Sequence, residues 1–204
     1  MTMRENILWH TGELTPALRA RAYGHKGVTA WLTGLSGSGK STIAARVERL
    51  LVERRVVSYV LDGDNIRHGL NHDLDFSPEG RSENVRRIGE VTKLFVDAGV
   101  VVLAAFVSPY RIDRARVRAL HAPGDFFEVY VEASLEGCKR RDPKGLYEKA
   151  QAGSIADFTG ISSPYETPEH PELTLRTELE DVDTCAHQLV QHLQRSGYVP
   201  VLST

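Results

Sequence analysis

The segment 34–41 has the residue types and the spacing that hold phosphate groups. Its sequence, GLSGSGKS, fits the pattern G-x-x-x-x-G-K-[ST], and it lies between a predicted strand and a predicted amphipathic helix. Glycines let backbone N–H groups turn toward a phosphate, Lys40 can reach the β and γ phosphates of a nucleotide, and Ser41 can coordinate Mg²⁺. The residues that we predict to contact the nucleotide are Gly34, Leu35, Ser36, Gly37, Ser38, Gly39, Lys40, Ser41 and Thr42.

Two further candidates for chemistry follow predicted strands. Asp62 comes directly after the strand-like segment 56–61, and Ser108 comes after the segment 100–107. Ligand sites of parallel sheets lie at the carboxyl ends of strands, where Asp62 can act on Mg²⁺ or accept a proton from an attacking hydroxyl group. A simple turn is the alternative for Asp62. Ser108 has no histidine nearby in the sequence, which favours a helix cap or a substrate ligand over a nucleophile.

Basic and aromatic side chains follow Asp62 along the chain. Arginines can pair with anions through two donors, and aromatic rings stack on planar ligands, so this pattern indicates a site for an anionic, ring-bearing substrate. A solvated helix face is the alternative for each arginine. The residues in this group are Arg67, Phe76, Arg81 and Asn84, followed by Arg86 and Arg87 on the next predicted helix.

The elements that must position these residues alternate between strands and helices. The candidate strands are Val28–Thr33 and the segments 56–61, 100–107 and 126–131, mostly continuous apolar runs as expected of strands covered on both faces. Apolar residues recur at helical spacing between them, at 111–120 and from Val182 onward. We therefore expect one α/β domain over 1–204, with three layers and a mostly parallel sheet between helices. The stretches 68–80 and 142–173 are predicted to be long loops.

The composition limits the class of protein. The chain of 204 residues has 25 Lys and Arg against 27 Asp and Glu, a formal net charge of −2 that does not favour nucleic-acid binding. Its two cysteines form no C-x-x-C motif, so we expect reduced packing residues rather than a disulfide framework or a zinc site. The run 100–107 is too short to cross a membrane, and Arg4, Glu5, Trp9 and His10 are unlike a secretory signal. We expect a soluble, cytoplasmic protein.

An ordered series of short motifs runs along almost the whole chain. Besides the phosphate loop, these are GHKG at 24–27, LDGDN at 61–65, RHGLN at 67–71, EN at 83–84, RRIGEV at 86–91, SPYR at 108–111, RDPKGLY at 141–147, FTGI at 158–161 and SPYE at 163–166. Together they resemble the adenylylsulfate kinase (APS kinase) family of P-loop kinases. This series is far more specific than the phosphate loop, which by itself indicates only a superfamily.

The resemblance implies a reaction and its cofactors. Members of this family use ATP to phosphorylate the 3′-hydroxyl of adenosine 5′-phosphosulfate (APS), which gives 3′-phosphoadenosine 5′-phosphosulfate (PAPS) and ADP in sulfate assimilation. We accordingly expect a P-loop NTPase fold, ATP and Mg²⁺ as cofactors, and a metal site at Ser41 and Asp62. The implied catalytic residues are Lys40, Asp62, Ser108 and Lys144.

The resemblance also assigns residues to the substrate. Asp62 is implied to face the 3′-hydroxyl, Phe76 and Phe158 to sandwich the adenine, and Lys144 to belong to a mobile lid at about 142–172 that closes over both nucleotides. The residues implied to contact APS are Asp62, Arg67, Phe76, Arg81, Asn84, Ser108, Lys144 and Phe158.

Family descriptions place a phosphoserine intermediate at the position of Ser108. We expect direct transfer instead, because a phosphate loop with Mg²⁺ can align the γ-phosphoryl group with a bound hydroxyl. Two positions depart from the family pattern: Gly80 replaces a usual Asp, and Arg176 replaces the Asp of a common Leu-Asp-Thr. We expect these changes to affect nucleotide affinity. The resemblance further implies a homodimer with an N-terminal extension at about 1–25, and association with an ATP sulfurylase is a further expectation.

Two other functions remain open from the residues. Another small P-loop kinase, acting on a nucleoside, nucleotide or sugar acid, would keep the loop and the lid but change the Arg and Phe residues. An ATP-binding regulatory domain, such as a detached partner of an ATP sulfurylase, would bind ATP without transferring phosphate. A GTPase is disfavoured because no Asn is followed by Lys, so the Asn-Lys-x-Asp motif is absent from the sequence.

Overall fold

Strands and helices alternate along the residues that the computed structural model describes, which are 8, 10 and 12–201. The strands are β1 (Val28–Thr33), β2 (Ser58–Asp62), β3 (Val101–Ala105), β4 (Phe126–Glu132) and β5 (Leu173–Arg176). The helices are α1 (Pro16–Tyr23), α2 (Lys40–Val52), α3 (Gly63–Arg67), α4 (Pro78–Asp97), α5 (Arg111–Leu120), α6 (Leu135–Arg141), α7 (Leu146–Gln151) and α8 (Val182–Arg195). The four predicted strands are confirmed, as are the helices at 111–120 and from Val182.

The strands form one parallel sheet in the order β2-β3-β1-β4-β5. All residues of β1 are buried, because helices cover both faces of the sheet. On one face Ile43 of α2 and Leu189 of α8 belong to the larger apolar core. On the other face Ile88 of α4 and Val117 of α5 pack with Trp31. The expected α/β fold, with helices on both sides of a parallel sheet, is confirmed.

The carboxyl ends of the first three strands lie together, and the segments that follow these strands carry the residues predicted to do chemistry. The loop after β1 turns back into α2, and Gly34 adopts a φ of 155° where a Cβ atom would lie 2.5 Å from the carbonyl oxygen of Val131. Only glycine fits such a close approach. β2 ends at Asp62, and Ser108 follows β3. The topology therefore brings the phosphate loop, Asp62 and Ser108 together at the carboxyl end of the parallel sheet.

Strand β2 is the outermost strand on one side of the sheet, and two backbone donors in and just before it bond to side chains. The N–H group of Val57, just before β2, donates to Nε2 of His25 at 3.0 Å. The N–H group of Val60 donates to Oε1 of Glu48 at 2.9 Å. Both donors are therefore satisfied within the chain.

Several elements differ from the sequence-based expectation. The predicted loop 142–173 contains the helix α7, and α4 begins at Pro78, inside the predicted loop 68–80. Ser77 causes this early start, because its hydroxyl accepts the N–H group of Gly80 at 3.0 Å and caps the helix. Strand β5 and the short helices α1, α3 and α6 were not predicted.

The expectations for cysteines and membrane spans can be compared with the described part of the chain. Cys138 and Cys185 are both buried free thiols, as predicted. Within residues 8, 10 and 12–201, no helix has the length and apolar character needed to cross a membrane. The predictions for Arg4, Glu5 and Trp9 fall outside the described residues.

Candidate active site

A cavity of about 1770 Å³ lies at the carboxyl end of the parallel strands. Sites for one small ligand usually measure about 300–1,000 Å³, so this cavity has room for two nucleotide-sized molecules. Gly34, Leu35 and Ser38 do not line the cavity, although the sequence predicts nucleotide contacts for them. The predicted site residues that do line it are Ser36, Gly37, Gly39, Lys40, Ser41, Thr42, Asp62, Arg67, Phe76, Arg81, Asn84, Ser108, Lys144 and Phe158.

Lys40 is the buried cation of the phosphate loop. Its ammonium group donates to the carbonyl oxygens of Gly34 at 2.9 Å and Leu35 at 2.7 Å. Burial lowers the pKa of Lys40 to about 8, so most of the side chain is still charged at pH 7. Lys40 thus places a positive charge at the start of α2, where backbone N–H groups also favour an anion.

Ser41 and Asp62, the two predicted metal ligands, are in contact. The hydroxyl of Ser41 donates to Oδ2 of Asp62 at 2.6 Å, while Oδ1 accepts the backbone N–H group of Asp64 at 3.0 Å and caps α3. Both carboxylate oxygens are therefore held in place at the edge of the cavity. Such hard oxygen ligands suit Mg²⁺. No set of three His, Cys, Asp or Glu side chains suited to a metal occurs in the described chain, so a metal here would need phosphate and water ligands.

Three of the predicted substrate residues form one cluster. The guanidinium of Arg67 lies 4.2 Å from the centre of the Phe76 ring, which is 57% exposed. Nε of Arg81 donates to the carbonyl oxygen of Phe76 at 2.8 Å, and its other nitrogens donate to Thr159 and to the carbonyl oxygen of Asp157. The start of α4 is thereby joined to the segment that carries Phe158.

Asn84 is buried and is oriented by a residue that the sequence analysis did not assign to the site. Nδ2 of Asn71 donates to Oδ1 of Asn84 at 2.9 Å, and Asn71 is itself fully buried. Oδ1 of Asn84 is thus occupied, which leaves its amide N–H groups for a ligand. Asn71 is the last residue of the RHGLN motif, so the sequence pointed to this position. The motif did not show that the side chain of Asn71 would orient Asn84.

Ser108 lies in a strained turn at the cavity wall. Its φ is 40°, an unusual value for a residue other than glycine. Its hydroxyl accepts Nε1 of Trp31 at 3.0 Å and donates to the hydroxyl of Thr33 at 3.0 Å. Neither of these partners is a base. The helix-cap alternative is wrong, because Tyr110 is the N-cap residue of α5.

The predicted lid contacts both the phosphate loop and α3. Lys144 forms an ion pair with Asp64, and the hydroxyl of Tyr147 donates to the carbonyl oxygen of Ser36 at 2.9 Å. Phe158 is nearly buried, and its ring meets the ring of Tyr147 edge to face, with ring centres 5.0 Å apart. The segment therefore lies over the cavity and leaves little of the Phe158 ring accessible.

Arg141 and Thr177 line the cavity but were not predicted as site residues. Arg141 donates to the hydroxyl of Thr177 at 2.9 Å, and that hydroxyl donates to the carbonyl oxygen of Ser38 at 2.9 Å. The side chain of Arg176 instead pairs with Glu132 at 3.1 Å. Of the two neighbouring positions, Thr177 faces the phosphate loop, and Arg176 does not line the cavity.

Comparison with known proteins places this geometry in a family. The family model described as adenylylsulphate kinase matches residues 26–176, well over half of the chain. The chain belongs to the adenylylsulfate kinase family. The adenylyl-sulfate kinase of Staphylococcus haemolyticus is 53% identical over 199 residues, which cover 98% of this chain and 100% of that protein. The adenylyl-sulfate kinase of Staphylococcus carnosus is 55% identical over 194 residues, which cover 95% of this chain and 98% of that protein.

A solved structure agrees with these relatives. The APS kinase of Mycobacterium tuberculosis in complex with AMPPNP and APS is 50% identical, with a TM-score of 0.80, and the match covers 83% of this chain and 99% of that chain. The family and the kinase activity predicted from the sequence are therefore confirmed, and this chain is an adenylylsulfate kinase.

The departure at Gly80 has a local structural reason in this adenylylsulfate kinase. A Cβ atom at position 80 would lie 2.2 Å from Oδ1 and 2.8 Å from the carbonyl oxygen of Asp75. Asp75 accepts the hydroxyl of Ser77 at 2.6 Å and precedes Phe76. The glycine thus permits this conformation of the segment that carries Phe76.

Proposed function

We propose that this adenylylsulfate kinase transfers the γ-phosphoryl group of ATP directly to the 3′-hydroxyl of APS, and that Asp62 orients this hydroxyl. The observation that supports the role of Asp62 is its contact with Ser41 at 2.6 Å, between the phosphate loop and the substrate half of the cavity. A carboxylate at this point can accept a hydrogen bond from an attacking hydroxyl.

The phosphate loop binds ATP in this proposal. Lys40 exchanges its bonds to the loop carbonyls for bonds to the β and γ phosphates, and the N–H groups at the start of α2 bind the same anion. A phosphate beside Lys40 favours the charged amine and opposes the effect of burial on its pKa.

Ser41 and Asp62 fit a magnesium ion, because both present oxygen atoms at the phosphate loop. Mg²⁺, when bound there, neutralises negative charge on the phosphoryl group during transfer. The two side chains would hold the ion together with phosphate oxygens and water.

The substrate half of the cavity supplies positive charge and aromatic surface. Arg67 and Arg81 suit an anionic phosphosulfate, and the rings of Phe76 and Phe158 suit a purine. Lys144 and its segment cover the cavity and exclude water, which would otherwise compete as the phosphoryl acceptor. The M. tuberculosis APS kinase holds AMPPNP and APS in one complex, and this supports a site for two nucleotides here.

We also propose a single catalytic domain over 1–204 with a lid at about 142–172, a homodimer and a cytoplasmic location. Association with an ATP sulfurylase stays a prediction. Sedimentation of the purified protein, alone and with an ATP sulfurylase, tests the dimer and this association.

An acceptor assay tests the proposed reaction and the role of Asp62. The enzyme is given MgATP with APS, AMP or gluconate, and we expect ADP and a 3′-phosphorylated product from APS alone. Asp62→Asn should lower kcat by about 10²–10⁴-fold, with the affinity for ATP changed by less than about threefold, because the carboxylate that orients the 3′-hydroxyl is lost while the phosphate loop remains.

Asp73→Asn is the matched control, since Asp73 pairs with Arg87 away from the cavity. It should keep the kcat of the wild type. A kcat for Asp62→Asn close to that of the control would refute the role of Asp62. Transfer to AMP or gluconate instead of APS would refute the substrate.

A further inference from the structure

Arg114 joins three separate segments from a buried position on α5. Its side chain is only 3% exposed, and Nε donates to Oε1 of Glu128 on β4 at 2.5 Å. The two terminal nitrogens donate to the carbonyl oxygens of Ser108 and Glu166, each at 2.7 Å. A guanidinium can satisfy three such acceptors at once because its donors point in different directions within one plane.

The first of these carbonyl groups belongs to the turn at the cavity wall. Ser108 and the next residue, Pro109, both line the cavity, whereas Arg114 does not. The turn has a φ of 40° at Ser108, and such a conformation persists only where its surroundings hold it. The bond from Arg114 fixes the direction of the Ser108 carbonyl and so holds this turn.

The second carbonyl group belongs to the segment in which the lid returns to the domain. The N–H group of Glu166 donates to the carbonyl oxygen of Pro109 at 2.9 Å, and its carboxylate accepts the N–H group of Arg111 at 2.7 Å. Tyr165 adds a contact to the hydroxyl of Thr33 at 3.0 Å. The residues after Phe158 are thus tied to the Ser108 turn.

We infer that Arg114 is a positioning residue for the APS half of the site, because it fixes the Ser108 turn and the carboxyl end of the lid to each other. This inference rests on the proposed function, in which Phe158 and the lid cover APS. A movement at residues 165–166 would displace Phe158 and Thr159, and Thr159 also binds Arg81. The phosphate loop forms its hydrogen bond with the lid through Tyr147, in the amino-terminal part of the lid, and within the described part of the chain it forms none with Arg114, Ser108 or Glu166. ATP binding should therefore depend on Arg114 much less.

Arg114→Lys tests the inference, because lysine keeps the charge beside Glu128 but cannot bind all three acceptors in the same geometry. Arg118→Lys is the control, since Arg118 lies one turn further on α5 and pairs with Glu172 without contacting the Ser108 turn or Glu166. We expect Arg114→Lys to raise the KM for APS by about tenfold and the KM for ATP by less than about twofold. Arg118→Lys should leave both values unchanged.

Limited trypsin digestion gives a second result that does not depend on activity. Cleavage after Lys149, an exposed residue of α7, should be about fivefold faster in Arg114→Lys than in Arg118→Lys, because the carboxyl end of the lid is released. Both variants keep the same number of trypsin sites. If the wild type failed to phosphorylate APS, the proposed function would be refuted. The cleavage rates would still test whether Arg114 holds the Ser108 turn and the carboxyl end of the lid together.

A folded Arg114→Lys enzyme with the KM for APS and the cleavage rate of the control would overturn the inference, whatever its melting temperature. If Arg114→Lys does not fold, Glu128→Gln takes its place, because it weakens the hold on the guanidinium and leaves both carbonyl acceptors. We then expect the KM for APS and the rate of cleavage after Lys149 to rise as well, but by smaller factors than in Arg114→Lys. An unchanged KM for APS and unchanged cleavage in Glu128→Gln would also refute the role of Arg114.

Discussion

The carbonyl group of Ser108 and its hydroxyl group bond to different partners. The carbonyl oxygen accepts a hydrogen bond from Arg114, whereas the hydroxyl accepts one from Trp31 and donates one to Thr33. Removing the hydroxyl leaves the indole N–H of Trp31 without its acceptor, but it leaves the backbone turn and the Arg114 bond in place. The position of Ser108 and the chemistry of its side chain can therefore be tested separately.

We predict that Ser108→Ala loses stability but keeps turnover. The unpaired buried donor should cost about 1–3 kcal/mol of unfolding free energy, measured by urea denaturation. kcat should stay within about tenfold of the wild type, because direct transfer needs no covalent phosphate on the protein. Rapid quenching with γ-labelled ATP decides the point: a labelled phosphoserine that forms and decays at the catalytic rate would contradict direct transfer.

The residues of the site differ in how well the sequence predicts them. Lys40, Ser41 and Asp62 follow from a motif with a known chemical purpose and from their place after strands. Asn71 and Arg114 do not, because their roles depend on which buried partner each side chain meets. Arg114 is one of four arginines in the helix RIDRARVRAL, and only the fold buries it.

At the scale of elements, the start of α4 shows how a loop conformation constrains a helix. Gly80 is the third residue of α4, where alanine would usually favour the helix by about 1 kcal/mol. A Cβ atom there would meet the carbonyl oxygen of Asp75 at 2.8 Å, which cannot move unless the backbone beside Phe76 moves.

We therefore predict that Gly80→Ala raises the KM for APS by about three- to tenfold, while the KM for ATP changes by less than about twofold. Steady-state kinetics with each substrate varied in turn measure both values. Gly69→Ala is a matched control, because its Cβ atom would meet nothing within 4 Å. Equal KM values for APS in the two variants would mean that the segment at Asp75 adapts without moving Phe76.

The elements were predicted where burial leaves a clear pattern. β1 and β3 are continuous apolar runs because both faces of each strand are covered. β5 has four residues, of which only Leu175 is fully buried, so its sequence resembles that of a loop. α7 is only six residues long and lies in a Gly- and Pro-containing stretch, too short for helical periodicity to be read.

At the scale of the whole molecule, three partly or fully buried histidines link stability to pH. Burial lowers the pKa of His25, His121 and His192 below the ordinary value of 6.5. Between the folded-state pKa values and 6.5, the unfolded chain binds more protons than the folded chain. Stability is therefore greatest above pH 6.5 and falls as the pH falls through this window.

We predict that the free energy of unfolding decreases from pH 7.5 to about 5.5, by up to about 1.4 kcal/mol per pH unit for each histidine. Urea denaturation at a series of pH values measures this slope. His192→Phe should flatten it, because the new ring can pack on Phe127 as His192 does. His170 is exposed, so His170→Gln should not change the slope. A constant free energy over this range would contradict the prediction.

The edge strand β2 has a consequence for how copies of the protein meet at high concentration. Exposed strand edges can recruit strands from other molecules, which is a route to aggregation. Here an incoming strand would first have to displace Glu48 from the N–H group of Val60, which points away from β3. The carboxylate of Glu48 thus also helps to keep this sheet from extending into neighbouring molecules.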